Sequence, residues 1–295
     1  MRAKHKKLMC LFTAVILAFG CGCREAGETV QMEEPEVTQA VISSQPTVTP
    51  VPSVKPSYSP EPEYSHEPQA TPEPSVGLGG GGKDSSLPLS GVTIGIDPGH
   101  QQRGDSSLEQ VGPDSDERKP KVASGTRGVV SGVPEYVVTL AVGLLVRDKL
   151  EALGARVVMA RIENDVNISN RERALLMNEQ GVDFCVRIHC NGSEDGRVQG
   201  ALMFVPDSGW TRPIEEESTR AGRAILDAFT ALTGAANGGV SGRGDLTGFN
   251  WSTVPVCLIE MGFMTNAGED GKLTDPAYQE LCAQGIADGI VEWRA

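Results

Sequence analysis

Between residues 24 and 90 the chain carries eleven of its nineteen prolines, a run of four glycines at Gly79–Gly82, and almost no large apolar side chains. A stretch of this kind cannot bury a core, and proline at this density favours extended polyproline II. About 65 such residues would reach at most roughly 200 Å when extended and about 45 Å as a coil. The segment is expected to be a disordered linker, and the spacer reading is preferred to a proline-motif ligand. Folding is thereby confined to residues 91–295, enough for one core.

Residues 1–23 read differently. Arg2, Lys4, Lys6 and Lys7 precede an apolar run from Leu8 to Phe19, and small residues and two cysteines follow in "FGCGC". About a dozen apolar residues are short for a bilayer span and fit the core of an export signal. "LAFGC" resembles the cleavage box of bacterial lipoproteins, which would place an acyl chain on Cys21, although Ala18 stands where Leu or Val is usual. Lipidation at Cys21, an uncleaved membrane anchor and a cleaved signal stay open. Each puts the folded part outside the cytoplasm, and the first two tether it to the membrane through its N-terminal segment.

The folded part alternates two periodicities. "VTIGI" (Val92–Ile96), "ARVVMA" (Ala155–Ala160), "DFCVRIH" (Asp183–His189), "GALMFV" (Gly200–Val205) and "VCLIEM" (Val256–Met261) are short, apolar and bounded by turn residues, as strands are. A long helix is predicted between Pro134 and Gly154, with Val137, Leu140, Ala141, Leu144 and Leu145 at helical spacing. Three more are predicted over 169–180, 214–232 and 276–293. Strands alternating with helices predict an α/β fold, a single domain with a mostly parallel, twisted sheet and helices on both faces. Functional residues should gather at the carboxyl ends of the strands.

Of the four histidines, only His100 and His189 fall within 91–295, and both end a predicted strand. In a parallel sheet they share a rim. Two imidazoles rarely suffice for a tight metal site, and Glu135, in the first turn of the long helix, is the natural third ligand. An isolated Glu there would ordinarily be read as a carboxylate stabilising the helix N-terminus. Glu260 lies near the end of an apolar strand, where a charge needs a partner or a task. It could pair with an arginine, or it could take a proton from an activated water and return it to a leaving amine.

"IDPGH", the "PEY" helix start, "NRERALLMNEQGVDFCVRIHCNG" and "CLIEMGFMTN" together resemble the zinc-dependent N-acetylmuramoyl-L-alanine amidases of the type 3 family, cell-wall hydrolases. The resemblance spans nearly all of the folded part. It implies Zn²⁺ held by His100, Glu135 and His189, catalysis by Glu260, and supporting roles for Arg171 and Asn191. The implied substrate is peptidoglycan, cut between N-acetylmuramic acid and L-alanine, and a tethered domain suits a substrate that cannot move. A non-catalytic peptidoglycan-binding module, or a zinc hydrolase of another peptide or amide, is the alternative. The sequence identifies no activator protein.

The chain departs from the family in places. Arg187 stands where serine is common, "DPGHQQ" replaces the more usual "DPGHGG", and a long polar loop, 101–133, separates the first two implied ligands. That loop is read as a wall or cover of the substrate groove, or as a disordered insertion. Cys185, Cys190, Cys257 and Cys282 show no C-x-x-C metal pattern, and Cys190 adjoins an implied ligand. Two "RGD" triplets, at Arg103 and Arg243, sit among glycines and read as solvated turns. No G-x-S-x-G elbow or phosphate-binding loop is present. A net charge of −13 argues against nucleic acid as a partner.

Overall fold

The computed structural model of the protein describes residues 87–295. The export segment and most of the linker lie outside them. Five apolar runs become strands close to where the sequence puts them: β1 (Thr93–Pro98), β4 (Arg156–Met159), β5 (Phe184–Asn191), β6 (Ala201–Pro206) and β8 (Val256–Phe263). A sixth, β7 (Asn237–Arg243), was not expected. The sheet runs β4-β1-β5-β8-β6-β7, with every neighbouring pair parallel except β6 and β8. The fold is therefore α/β with a mostly parallel sheet.

Three helices cover one face: α1 (Glu135–Ala152), α3 (Glu215–Thr233) and α6 (Pro276–Arg294). Val142, Val146 and Leu150 of α1, Ile225 and Phe229 of α3, and Ile286 and Ile290 of α6 are buried against Ile94, Ile96, Val186, Ile188 and Ile259. The opposite face takes α2 (Asn170–Glu179) and the short α4 (Thr247–Asn250), where Met177 and Phe249 join Cys185, Val256 and Leu258. Helices on both faces agree with the expectation from sequence. A further short helix, α5 (Ala267–Leu273), follows β8. No helix among the described residues is long and apolar enough to cross a membrane.

Strand alternation decides which residues meet. With Ile94, Ile96, Val186, Ile188, Cys257 and Ile259 committed to the α1 face, the residues between them turn to the other. Asp97, Arg187, His189 and Glu260 thus share the α2 face. Register then pairs Asp97 with Arg187 across β1 and β5, and His189 with Glu260 across β5 and β8.

The 101–133 segment contains an antiparallel hairpin, β2 (Asp105–Gln110) and β3 (Arg118–Val122), which forms a second small sheet. The hairpin docks through Trp251, whose Nε1 donates to the Gln110 carbonyl at 2.9 Å. Leu89 is fully buried, and its N–H donates to the Leu153 carbonyl just past the end of α1. Packing therefore begins slightly before residue 91.

Candidate active site

His100 lies two residues past β1 with φ at +58°, a left-handed conformation rare outside glycine. The turn is held by three buried arginines. Arg173 of α2 donates to Asp97 Oδ1 at 2.6 Å and to the carbonyls of Pro98 and His100 at 2.9 and 3.0 Å. Arg161 donates to the carbonyls of Pro98 and Gly99, and Arg187 donates through Nε to Asp97 Oδ2 at 2.8 Å. Burial alone would raise the Asp97 carboxyl, but Arg173 and Arg187 outweigh it and hold the group well below the usual carboxylate range. Burial, then the charge of Arg173, lowers Arg161 to about 10.

Glu135 is buried at the start of α1 and lies between the two imidazoles. Its Oε2 is 3.2 Å from His100 Nε2, and its Oε1 is 3.2 Å from His189 Nδ1. The backbone N–H groups of Thr126 and Cys190 donate to the same carboxylate at 2.9 and 3.0 Å. Two glycines permit this closeness. A Cβ on Gly99 would fall 2.3 Å from the His189 ring, and one on Gly125, whose φ is +76°, would fall 2.8 Å from Glu135 Oε2. The imidazoles meet edge to face with centroids 4.8 Å apart.

The electrostatics follow from these contacts. Burial opposes ionisation of Glu135, yet the flanking imidazoles win and depress its acid strongly. His100 is pulled down by burial and more than restored by Glu135, so it rises. His189, fully enclosed, falls to about 4, mainly through burial. Glu260, beside it in register, has no ion pair among the described residues. Burial, and then the nearby Glu135 charge, push its acid well above the ordinary range, with Arg243 offsetting part.

Donor chemistry tests whether a cation fits. His100 Nδ1 lies 2.8 Å from the Ala123 carbonyl, which can only accept, so Nδ1 carries the hydrogen. In a neutral ring Nε2 then turns a lone pair toward Glu135 Oε2. A bound cation removes that conflict. His189 Nε2 and Glu260 Oε2 are also buried without partners. His100, Glu135 and His189 each offer a ligand atom, all within 4.8 Å of one another. A His–Glu–His set suits zinc.

The other two residues singled out from the resemblance lie apart from this cluster. Arg171 places its guanidinium 3.9 Å over the Trp251 ring, and its backbone N–H donates to Glu109 Oε1. Asn191 Oδ1 accepts from the Gly192 N–H, and its carbonyl accepts from Met264. Arg173, unnoticed in the sequence, grips the His100 turn instead. It stands at i,i+4 to the apolar Met177, and those two with Ala174 are the buried residues of α2. The four domain cysteines are free and buried, and burial raises the Cys190 thiol, so it stays protonated.

A cavity of about 340 Å³ opens beside the cluster. His100, His189 and Glu260 form one part of its lining, and Arg187, Arg243 and Gly248 another. Lys119, Pro120, Val122 and Ala123 bring the 101–133 segment in as a wall. Lys119 Nζ reaches Asp245 Oδ2 at 3.1 Å and fastens that wall to the loop after β7.

A buried His–Glu–His cluster that could hold a divalent cation, on the carboxyl rim of a mostly parallel sheet and beside an unpaired acid, suits the hydrolase class. Within that class the chain is a member of the type 3 N-acetylmuramoyl-L-alanine amidase family, whose sequence profile matches residues 94–292. It is 27% identical over 219 residues to the N-acetylmuramoyl-L-alanine amidase Rv3717 of Mycobacterium tuberculosis, covering 70% of this chain and 88% of that one. Against LytC, an N-acetylmuramoyl-L-alanine amidase of Bacillus subtilis, it is 29% identical over 206 residues, 70% of this chain but 36% of LytC. The chain thus matches only about a third of that longer relative. Among solved structures, the amidase Ami1 of Mycobacterium abscessus superposes with a TM-score of 0.65 at 28% identity, over 70% of this chain and 100% of Ami1.

Proposed function

We propose that the protein hydrolyses the amide between N-acetylmuramic acid and L-alanine in peptidoglycan, with Zn²⁺ held by His100, Glu135 and His189. The observation that carries the reading is Glu135 lying between two imidazoles, with an unpaired Glu260 in register beside His189. When bound, the ion acidifies water and polarises the scissile carbonyl. Ala123 fixes the His100 tautomer, and Arg173 and Arg161 hold the turn that aims the ring. Glu260, made more basic by burial, takes the proton of the attacking water and returns it to the departing nitrogen of L-alanine. The C–N bond breaks, leaving the lactyl carboxylate and a free amine. Arg171 supports the site indirectly, by steadying Trp251 and so the hairpin; Asn191 helps fix the turn after His189. The N-terminal segment would tether the enzyme outside the membrane, through Cys21 if it is lipidated.

The test incubates the full-length protein with peptidoglycan and follows stem peptides that carry N-terminal L-alanine. Release should occur, stop on chelation, return with zinc, and vanish in Glu260→Gln while metal content is kept. Bound zinc with no product would favour a peptidoglycan-binding module. Cleavage of a different bond would favour another amide substrate.

A further inference from the structure

Arg187 is 5% exposed, yet its side chain reaches the cavity beside the histidines. Its hydrogen bonds use two of three nitrogens: Nε to Asp97 and Nη2 to Asn170 Oδ1, each at 2.8 Å. Nη1 has no hydrogen-bond partner among the described residues. It rests against Gly248, where an added Cβ would fall 1.8 Å away, so the absent side chain leaves the room this nitrogen occupies.

Charge around this nitrogen does not balance. Arg161, Arg173 and Arg187 are all nearly buried; among the described residues Asp97 is the one carboxylate paired with Arg173 and Arg187, and Arg161 is paired with none. Lys119 and Arg243 add positive charge to the cavity wall, where Asp245 is already engaged by both. Glu260 forms no ion pair with any of them. In a chain of net charge −13 the cavity lining carries three cationic side chains, Lys119, Arg187 and Arg243, against two acidic ones, Asp245 and Glu260. Buried charge without a counter-charge is costly, and a guanidinium edge is suited to a carboxylate.

We propose that Arg187 is a specificity-determining residue that binds a carboxylate carried close to the scissile amide. This rests on the amidase reading, which also says where the carboxylate comes from. The lactyl carboxyl of the muramic acid is consumed in the amide, so the stem peptide must supply the acid. The substrate class is then a muramoyl peptide with an ionised acidic residue near its L-alanine, and amidation of that residue makes a poorer substrate.

The probes are N-acetylmuramoyl-L-alanyl-D-glutamate and its diamide, given to the zinc-loaded full-length protein. Wild type should favour the acid by about 10- to 100-fold in kcat/KM, mostly through KM, as expected for a charge-assisted hydrogen bond. Arg187→Gln should compress that ratio to within about threefold, whereas Arg187→Lys retains part of it. Gly248→Ala, which displaces Nη1 and leaves the Asp97 pair in place, should compress it too. General structural damage would slow both probes alike and leave the ratio intact. A wild-type ratio near one, or a full ratio in Arg187→Gln, overturns the proposal while leaving the amidase reading standing. If neither probe is hydrolysed, calorimetry decides. Tighter binding of the acid that depends on Arg187 keeps the pocket and removes the amidase reading, whereas equal or absent binding removes the pocket.

Discussion

Replacing Asp97 with Asn should unfold the domain at a much lower temperature. The carboxylate is 2% exposed and receives Arg173 at 2.6 Å and Arg187 at 2.8 Å. Asn keeps the shape, but it leaves both guanidiniums buried without their counter-charge, a loss of about 3–5 kcal/mol. For a domain of this size each kcal/mol shifts Tm by about 2–4 °C, so the fall should be roughly 6–20 °C at pH 7. The effect has a pH signature. Asp97 titrates far below an unfolded aspartate in the folded chain, so its contribution is complete above the unfolded pKa of about 3.9. It is then lost progressively as the pH falls toward the folded pKa. Melting curves of wild type and Asp97→Asn, followed by circular dichroism from pH 7 to pH 3, should therefore draw closer below about pH 4, by about 1 kcal/mol at pH 3, without meeting. Asp195→Asn, in an exposed pair with Arg197, serves as the control and should leave Tm unchanged. A fall of less than about 2 °C, or a gap that stays constant to pH 3, would refute the claim that Asp97 is the counter-charge of Arg173 and Arg187.

Three further outcomes follow from the same geometry. Gly99→Ala should weaken zinc binding about tenfold or more, read by competition with a chromophoric chelator, because the new methyl displaces the His189 ring. Trp251→Ala should expose residues 105–122 to limited proteolysis and raise KM, since it removes both the bond to Gln110 and the surface beneath Arg171. Glu260→Gln should raise the Tm of the chelated protein at pH 7. Burial lifts the Glu260 pKa, so its ionisation costs folding stability above an unfolded pKa of about 4.3, and the gain should vanish below about pH 4.

Most of the sheet was legible because its strands are apolar runs ending in turn residues, and both rim histidines could be placed by that rule alone. β7 was not, since "NGGVSGR" offers a single apolar side chain; it exists as an edge strand by pairing with β6. The hairpin was hidden for a related reason. "DSSLEQ" and "RKPKV" are polar, with Leu108 exposed, and the hairpin is fixed by Trp251, about 140 residues away in sequence. The four residues proposed for chemistry converge because strand ends and a helix start are local features. Their support is not local: Arg161 and Arg173 come from other segments, and no spacing pattern announces a guanidinium that donates to backbone carbonyls.

The burial of Leu89 against the far end of α1 has a practical meaning. An 18-residue helix is about 27 Å long, and Glu135 stands at its other end. A chain arriving at Leu87 therefore joins the domain at the pole remote from the cavity mouth. A fusion partner, a surface linkage or a label attached at that point therefore meets the domain about a helix length from Glu135, which favours access of an insoluble polymer to the cavity.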